Sequence, residues 1–315
     1  VLDTHTLYNL ETIDSESQNF FMNLHRVNDF RRLNKYFIQV NNNLKFGGYF
    51  VGCVRSIDVK HNYIFNKYPY PVAFIIHNID SLFNRVLPKL PIIKVFYFAI
   101  TKGRNRSLSK AETLGRLQYC GFKVIAVKEH DDQLYFITRK VGEPSKDTDP
   151  SYGPFIKMQR VGKDSQIIYV YKFRTMYAYS EYLQKYIHDH NELAASGKFM
   201  DDFRITGWGK VFRKLWIDEL PQFLNWIRGD ISLVGVRALS FHYFKLYPEE
   251  IQKLRVQFKP GLVPPYYADM PKDFEEIVES EKRYLLKRKK RPICTQFEYF
   301  FKAWWNILVK GARSK

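Results

Sequence analysis

Hydrophobic and polar positions alternate with two periods along this chain, and its first and second halves read differently. Phe20–Leu24 is a short apolar run. Phe30, Leu33, Phe37 and Val40 then recur at helical spacing within Asp29–Asn43. Leu44-Lys45-Phe46-Gly47-Gly48 is a turn signal leading into a strand-like Tyr49–Val54. Ala111–Cys120 reads as a helix that stops at Gly121, and Phe122–Val127 and Gln133–Arg139 read as two strands joined at His130-Asp131-Asp132. Between these parts lies an apolar stretch, Val72–Ile100, broken by Pro88 and Pro91, punctuated by Arg85, Lys89 and Lys94, and followed by the basic loop Lys102–Arg106. Two readings of it stay open. A Pro-broken helix pair could dip into one leaflet with its cations at the headgroups, or a buried helix plus connector could sit in a soluble domain.

Val141–Tyr152 is polar, contains proline and has no apolar period, so it reads as a linker. It separates a first domain at 1–140, with a candidate membrane-interface segment at 72–100, from a second at 153–315. In the second, Ile167–Val170 is strand-like and Glu181–Leu193 is a polar helix on which His188-Asp189-His190 reads as solvated rather than metal-binding. Leu220, Phe223, Leu224 and Ile227 keep the i, i+3, i+4, i+7 spacing of a helix that begins at Asp218. Near the end, the cation run Lys287–Arg291 precedes Phe297–Val309, whose Phe297, Phe300, Phe301, Trp304, Trp305 and Leu308 share one broad helical side. Basic residues beside such a face suit an anionic leaflet; a core-packing helix with a solvated charge run is the alternative.

Composition narrows the partners. The 315 residues, 45% apolar, can fill the cores of two ordinary domains. A net charge of +18 points to polyanions, and aromatics at 17% beside so many cations suit a membrane interface or single-stranded nucleic acid. No nucleic-acid-binding motif accompanies the charge, so nucleic acid is not an expected partner. Cys53, Cys120 and Cys294 are odd in number and far apart, which argues against a disulfide framework or a zinc cluster. No signal peptide is visible, and no run of about 18 apolar residues predicts an ordinary membrane-spanning helix. The chain begins with Val1 rather than methionine, which leaves room for an upstream segment.

Two resemblances follow from the motifs. The Leu44–Gly52 stretch (LKFGGYFVG) and the helix, Gly121-Phe122 and hairpin order resemble the later half of a class I methyltransferase domain, over roughly 19–140. That resemblance implies a partial Rossmann-like fold, but the Gly-rich turn that its cofactor site needs is missing. The second is more specific. Gly153-Pro154-Phe155, Gln159-Arg160-Val161-Gly162-Lys163, Tyr171–Met176, Asp202–Thr206, Gly209–Arg213, Ile217–Gln222, Ser232–Arg237, Arg255 and Lys259-Pro260-Gly261 follow one another in register. In that order they resemble the bacterial sugar transferases, the monotopic polyprenyl-phosphate phosphoglycosyl transferases. The resemblance covers about 153–261, with a looser tail.

The fold so implied is α/β, with a partial Rossmann-like first domain and a compact, mostly helical catalytic domain carrying short strands. By resemblance, Asp218 attacks a UDP-sugar, an aspartyl-phosphosugar forms, and an undecaprenyl (polyprenyl) phosphate accepts the phosphosugar. The step starts a surface polysaccharide at the cytoplasmic face of a bacterial inner membrane, to which the protein binds as a monotopic or peripheral enzyme. Asp218 is the implied nucleophile and contact for Mg²⁺, and Glu219 its partner. The residues themselves agree: a carboxylate at the start of a helix is favoured by the helix dipole, worth ~0.3–1 kcal/mol. A diphosphate beside it needs cations, for which Arg160, Lys172, Arg174, Arg204, Arg213 and Arg237 are the candidates. The partners expected are thus a UDP-sugar donor, polyprenyl phosphate and an anionic membrane surface; a homo-oligomer is compatible with all of them. Departures from the family are Val236-Arg237-Ala238 where Pro-Arg-Pro is usual, Leu262–Met270 after Pro260-Gly261, and the polar linker where an apolar re-entrant helix normally lies. Rival readings are a catalytically silent membrane adaptor and a methyltransferase-related fusion protein.

Overall fold

A computed structural model describes residues 1–87, 93–148, 150–190 and 202–311. The chain forms two compact units. One comprises 1–152 together with 176–190 and 202–204, the other 153–175 and 205–311. The stretch after Thr175 thus folds with the first unit, although the linker pattern places it in the second.

The first unit runs α1 (Tyr8–Glu11), β1 (Gln18–Met22), α2 (Leu33–Asn43), β2 (Leu44–Val54), α3 (Ile57–Lys67), α4 (Tyr70–Ser81), α5 (Ile93–Thr101), α6 (Lys110–Tyr119), β3 (Phe122–His130), β4 (Gln133–Lys140) and α7 (Gln184–His190). Its sheet has the order β1-β2-β4-β3. β1 and β2 are parallel and are joined through α2, while β4 runs antiparallel between β2 and β3. A parallel pair needs such a crossover, so this is a partial Rossmann-like unit. The expected hairpin is present, with Asp131 taking the left-handed backbone of its turn. β2 starts at Leu44, earlier than the glycine signal suggests; Gly47 has φ +81° within the strand, and the β1–β2 register slips there.

Alternation on β4 buries Leu134, Phe136, Thr138 and Lys140 on one face. The core centres on Phe50, ringed by Phe21, Tyr36, Phe37, Phe122 and Phe136 at centroid distances of 5.4–6.1 Å. The buried Lys140 ammonium donates to the Leu44 carbonyl at 3.1 Å and lies 3.5 Å from Glu16. Tyr179 holds the 176–190 stretch in place. Its buried hydroxyl accepts from Asn34 at 2.7 Å and from Arg116 at 3.2 Å, with the Arg116 guanidinium over its ring. The 72–100 stretch forms helices whose apolar side chains are mostly exposed, so the buried-helix reading is overturned; 88–92, including Lys89, lie outside the described residues. Among the described residues, no helix is long and apolar enough to cross a membrane.

The second unit opens with the hairpin β5 (Phe155–Val161) and β6 (Ile167–Phe173), paired from Phe155 opposite Phe173 to Val161 opposite Ile167. It continues as α8 (Gly207–Lys214), a 3-10 turn at Ile217–Glu219, α9 (Gln222–Ile227), β7 (Ser232–Val234), α10 (Phe241–Phe244), α11 (Glu249–Arg255), β8 (Gly261–Val263), α12 (Tyr266–Asp269), α13 (Phe274–Lys290) and α14 (Pro292–Leu308). β7 and β8 are parallel and cross where Gly235 meets Gly261. A Cβ on Gly261 would lie 2.0 Å from the Gly235 nitrogen, so only glycine permits that approach. The core packs Val234, Val236, Tyr267, Tyr284, Leu285 and Tyr299 together.

Two buried cations brace this core. Arg255 pairs with Glu281, donates to the Arg237 carbonyl at 2.5 Å, and lies 4.8 Å from the Tyr247 ring centroid. Burial lowers its pKa to about 10. Arg288, which belongs to the cation run Lys287–Arg291, is buried rather than at the surface and donates to the Tyr284 hydroxyl at 3.3 Å.

Two stability outcomes follow. Phe50→Ala should destabilise the first unit by ~3–5 kcal/mol, since a large cavity opens among five aromatic rings, whereas exposed Phe46→Ala should stay within ~0.5 kcal/mol in denaturant unfolding. Arg255→Met should cost the second unit ~3–5 kcal/mol by leaving Glu281 charged and unpaired, and the double substitution Arg255→Met/Glu281→Leu should recover much of that loss.

Candidate active site

The strand β6 and the turn before α9 create the site. Asn225 is fully buried and ties them together. Its Oδ1 accepts from the Tyr171 backbone N–H at 3.0 Å, and its Nδ2 donates to the Tyr169 carbonyl at 2.7 Å and to Asp230 at 2.9 Å. That clamp sets Lys172, the next residue on β6, against the Ile217–Glu219 turn. The turn is entered through Trp216 in the left-handed region at φ 54°. Such a conformation costs on the order of 1 kcal/mol or more for a non-glycine residue. The Trp216 indole N–H donates to the Tyr267 hydroxyl at 3.1 Å, which helps hold the turn in that form.

The result is a carboxylate pair around one ammonium group. Lys172 Nζ lies 2.5 Å from Glu219 Oε1 and 3.8 Å from Asp218 Oδ2. Asp218 is only 9% exposed. Burial raises its pKa, Lys172 and Arg213 pull it down, and Glu219 pushes it up again, leaving it above the ordinary aspartate value. This corrects the dipole argument. Asp218 sits in a 3-10 turn, followed by an α-helix of six residues. So short a helix has a weak dipole, and the charge of Asp218 depends on its cationic neighbours. The apolar stripe of that helix, Leu220, Phe223, Leu224 and Ile227, is exposed.

The other predicted cations divide. Arg213, on α8, donates from Nε to Thr175 Oγ1 at 2.9 Å and acts on Asp218. α8 comes this close because Gly209 has no Cβ, which would stand 2.1 Å from the Thr175 carbonyl oxygen. Arg237 follows β7. It is solvent-exposed yet set among many protein atoms, and it feels Tyr266 most strongly, then Glu219, Tyr267 and Tyr243. Its carbonyl is held by Arg255 and the preceding carbonyl, of Val236, by the Gly261 N–H at 2.9 Å. These bonds fix the loop where the two usual prolines are absent. Arg160, on β5, is half-buried; burial and the nearby Arg237 both lower its pKa. Arg174 donates to the Gly153 carbonyl at 2.9 Å, which steadies the start of the hairpin.

Arg204 departs from its expected role. It belongs to the first unit, where its buried guanidinium makes two bonds to Asp202, at 2.7 and 2.8 Å, and one to Gln184 at 2.7 Å. The residues that motif reading missed are Trp216, Asn225 as a clamp, Arg255 with Glu281, and Tyr266 and Tyr267. The two tyrosines fall in the stretch that departs from the family pattern, which was the available signal. Burial, reinforced by Tyr266, pushes the Tyr267 hydroxyl far above its ordinary pKa, so it stays protonated.

Asp218 and Glu219 are adjacent hard-oxygen donors, and no cluster of three or more metal-binding side chains occurs among the described residues. Mg²⁺ commonly takes one or two carboxylates and completes its shell with water and substrate phosphates. The pair therefore fits an ion shared with a diphosphate better than an all-protein cage.

The chain is 41% identical over 138 residues to the galactosyl transferase CpsE of Streptococcus agalactiae serotype III (strain NEM316), covering 42% of this chain and 30% of that protein. It is 42% identical over 103 residues to the UDP-N-acetylgalactosamine-undecaprenyl-phosphate N-acetylgalactosaminephosphotransferase of Aeromonas hydrophila, covering 32% of this chain and 22% of that protein. The matches thus span less than a third of these two relatives. Among solved structures, a Thermotoga maritima SAM-dependent methyltransferase aligns at TM-score 0.26 and 14% identity, over 41% of this chain and 59% of that one. The bacterial sugar transferase family model matches residues 147–310, more than half of the chain and the whole of the Lys172–Asp218–Glu219 site. The chain therefore belongs to the bacterial sugar transferase family.

Proposed function

We propose that this protein transfers a phosphosugar from a UDP-sugar to a polyprenyl phosphate, through a covalent intermediate on Asp218, and so begins a surface polysaccharide. The observation that carries the reading is the geometry around Lys172: one ammonium group reaches two adjacent carboxylates on a turn whose backbone is held out of ordinary helical form. Members of the same family named as undecaprenyl-phosphate phosphotransferases support the acceptor class.

In the first step the Asp218 carboxylate attacks the sugar-proximal phosphorus. A new P–O bond to Asp218 forms, the bond to the bridging oxygen breaks, and UMP leaves with the electron pair. In the second, a phosphate oxygen of the acceptor attacks the same phosphorus and Asp218 leaves as a carboxylate. Both steps bring anions together, so cations must offset the repulsion. Lys172, Arg213, Arg237 and Arg160 supply that charge from the second unit. Asp218 and Glu219 would hold a Mg²⁺, which supplies Lewis-acid neutralisation of diphosphate charge when bound. The exposed apolar face of α14, with Phe297, Trp305 and Leu308, suits attachment at the inner membrane's cytoplasmic face, where the acceptor's hydrocarbon lies.

Asp218→Asn should abolish UMP release from a UDP-sugar, with a loss of at least about a thousandfold expected for removal of a nucleophile. Mass spectrometry of the wild-type chain quenched without acceptor should place a phosphosugar on the peptide containing Asp218. Continued turnover in the Asn variant, or a phosphosugar mapped elsewhere, would remove the proposal; no UMP release by the wild type would leave the silent adaptor.

Activity should also depend on pH in a defined sense. The nucleophile works only ionised, so rate falls as pH drops through the raised pKa of Asp218. Lys172 is the strongest group opposing that rise, so Lys172→Met should move the acid limb of the kcat/KM profile to higher pH.

A further inference from the structure

Helices on the surface of a water-soluble domain turn polar side chains outward and apolar ones inward. α4 and α5 of the first unit reverse this. Asp80 and Tyr97, with Asn84 of the turn after α4, direct their polar groups to the protein, while Asn78 is exposed. Asp80 pairs with Lys60 of α3, Asn84 donates to the same carboxylate at 2.7 Å, and the Tyr97 hydroxyl donates to Asn84 at 3.1 Å. Ala73 and Tyr97 are buried. Outward stand Phe74, Ile75 and Ile79 of α4 with Val95, Phe96 and Ile100 of α5, the last two 67% and 81% exposed.

Charge identifies what covers this face. Between Val59 and Ala111 the sequence has nine lysines and arginines and a single acid, Asp80, which Lys60 neutralises. Lys67 closes α3 just ahead of α4, near the rings of Tyr63 and Tyr68. Lys102 follows α5 directly, and the Arg31 guanidinium lies 5.3 Å from the Phe98 ring centroid. A second copy of the chain would bring these cations against their like, in a protein of net charge +18. An anionic headgroup layer offers the opposite charge outside and hydrocarbon beneath. Helices of 12 and 9 residues span only about 18 and 14 Å at 1.5 Å per residue, well short of a ~30 Å hydrocarbon core.

We infer that the α4–α5 face of the first unit is a membrane-docking surface, which lies in the interface of an anionic phospholipid bilayer with its apolar side chains among the acyl chains. This gives the first unit a lipid contact of its own, outside the segment shared with the sugar transferase family. It does not rest on the transferase reading.

The test reads position rather than turnover. The full chain would carry Cys294→Ser and one new cysteine, Ile79→Cys or Phe96→Cys, labelled with an environment-sensitive fluorophore; Cys53 and Cys120 are buried. With phosphatidylcholine/phosphatidylglycerol vesicles, both labels should shift to the blue and be quenched by brominated acyl chains. A label at Asp58→Cys, exposed at the start of α3, should not respond. Lys67→Glu/Lys102→Glu should raise the lipid concentration for half-quenching about tenfold or more, with an unchanged circular dichroism spectrum. If the chain sediments with vesicles while labels at 79 and 96 stay unquenched, the inference is overturned. It is equally overturned if those labels become shielded without lipid as protein concentration rises, which would make the face a contact between copies.

Discussion

On the proposed reading, a carboxylate that attacks phosphorus must be charged and close to other anions, and both demands fall on Asp218. The fold meets them with one lysine. Burial alone would favour the protonated acid, and Glu219 next to it adds repulsion. Lys172 stands within 4 Å of both groups and draws Asp218 back towards ionisation, with Arg213 assisting. Much of the second unit's local structure serves that contact. Asn225 ties β6 to α9, Trp216 takes a strained backbone and bonds Tyr267, and Gly209 lets α8 approach Thr175. A shift in any of these would change the distances from Lys172 to the two acids.

The arginines of the motif run do two kinds of work. Arg204 and Arg255 are buried and their hydrogen bonds go to protein groups: Asp202 and Gln184 for one, Glu281 and the Arg237 carbonyl for the other. Such pairs fix geometry at a desolvation cost and are weak evidence of net stabilisation. Arg213, Arg237 and Arg160 act on the acids or on one another instead. Arg255 links the two kinds, because the carbonyl it holds belongs to Arg237. The loop lacks its usual prolines, and hydrogen bonds from Arg255 and Gly261 replace part of their stiffening.

Short-range signals were legible in the sequence. Gly121 and the acidic hairpin turn placed their elements to within a few residues, and the motif order pointed to Asp218, Glu219, Lys172, Arg213 and Arg237, which lie near one another in the second unit. Other features depend on distant partners. Arg204 and Arg213 are both arginines set among similar neighbours, and only the fold shows that one is bound by Asp202 and Gln184 while the other acts on Asp218. Arg288 lies inside a run of five cations, yet the turn of α13 carries it inward to Tyr284. The stretch 176–190 has no boundary signal because Tyr179, which anchors it, bonds to Asn34 and Arg116, residues far off in the chain.

Periodicity identifies which residues share a face, not what covers it. The α9 stripe, the α14 aromatics and the outer side of α4 and α5 all have the spacing of core helices, and all three are exposed. What separates them from core is charge: cations beside an apolar face suit an interface, where each side of the boundary is matched. α9 differs in what lies beside it, since Leu220, Phe223 and Leu224 follow within a few residues of the Lys172–Asp218–Glu219 cluster. A substrate with a phosphate head and a hydrocarbon tail has the same polarity sequence as this turn and helix. On the proposed reading, the head would meet Lys172 and its carboxylates, and the tail would find the stripe that water otherwise faces.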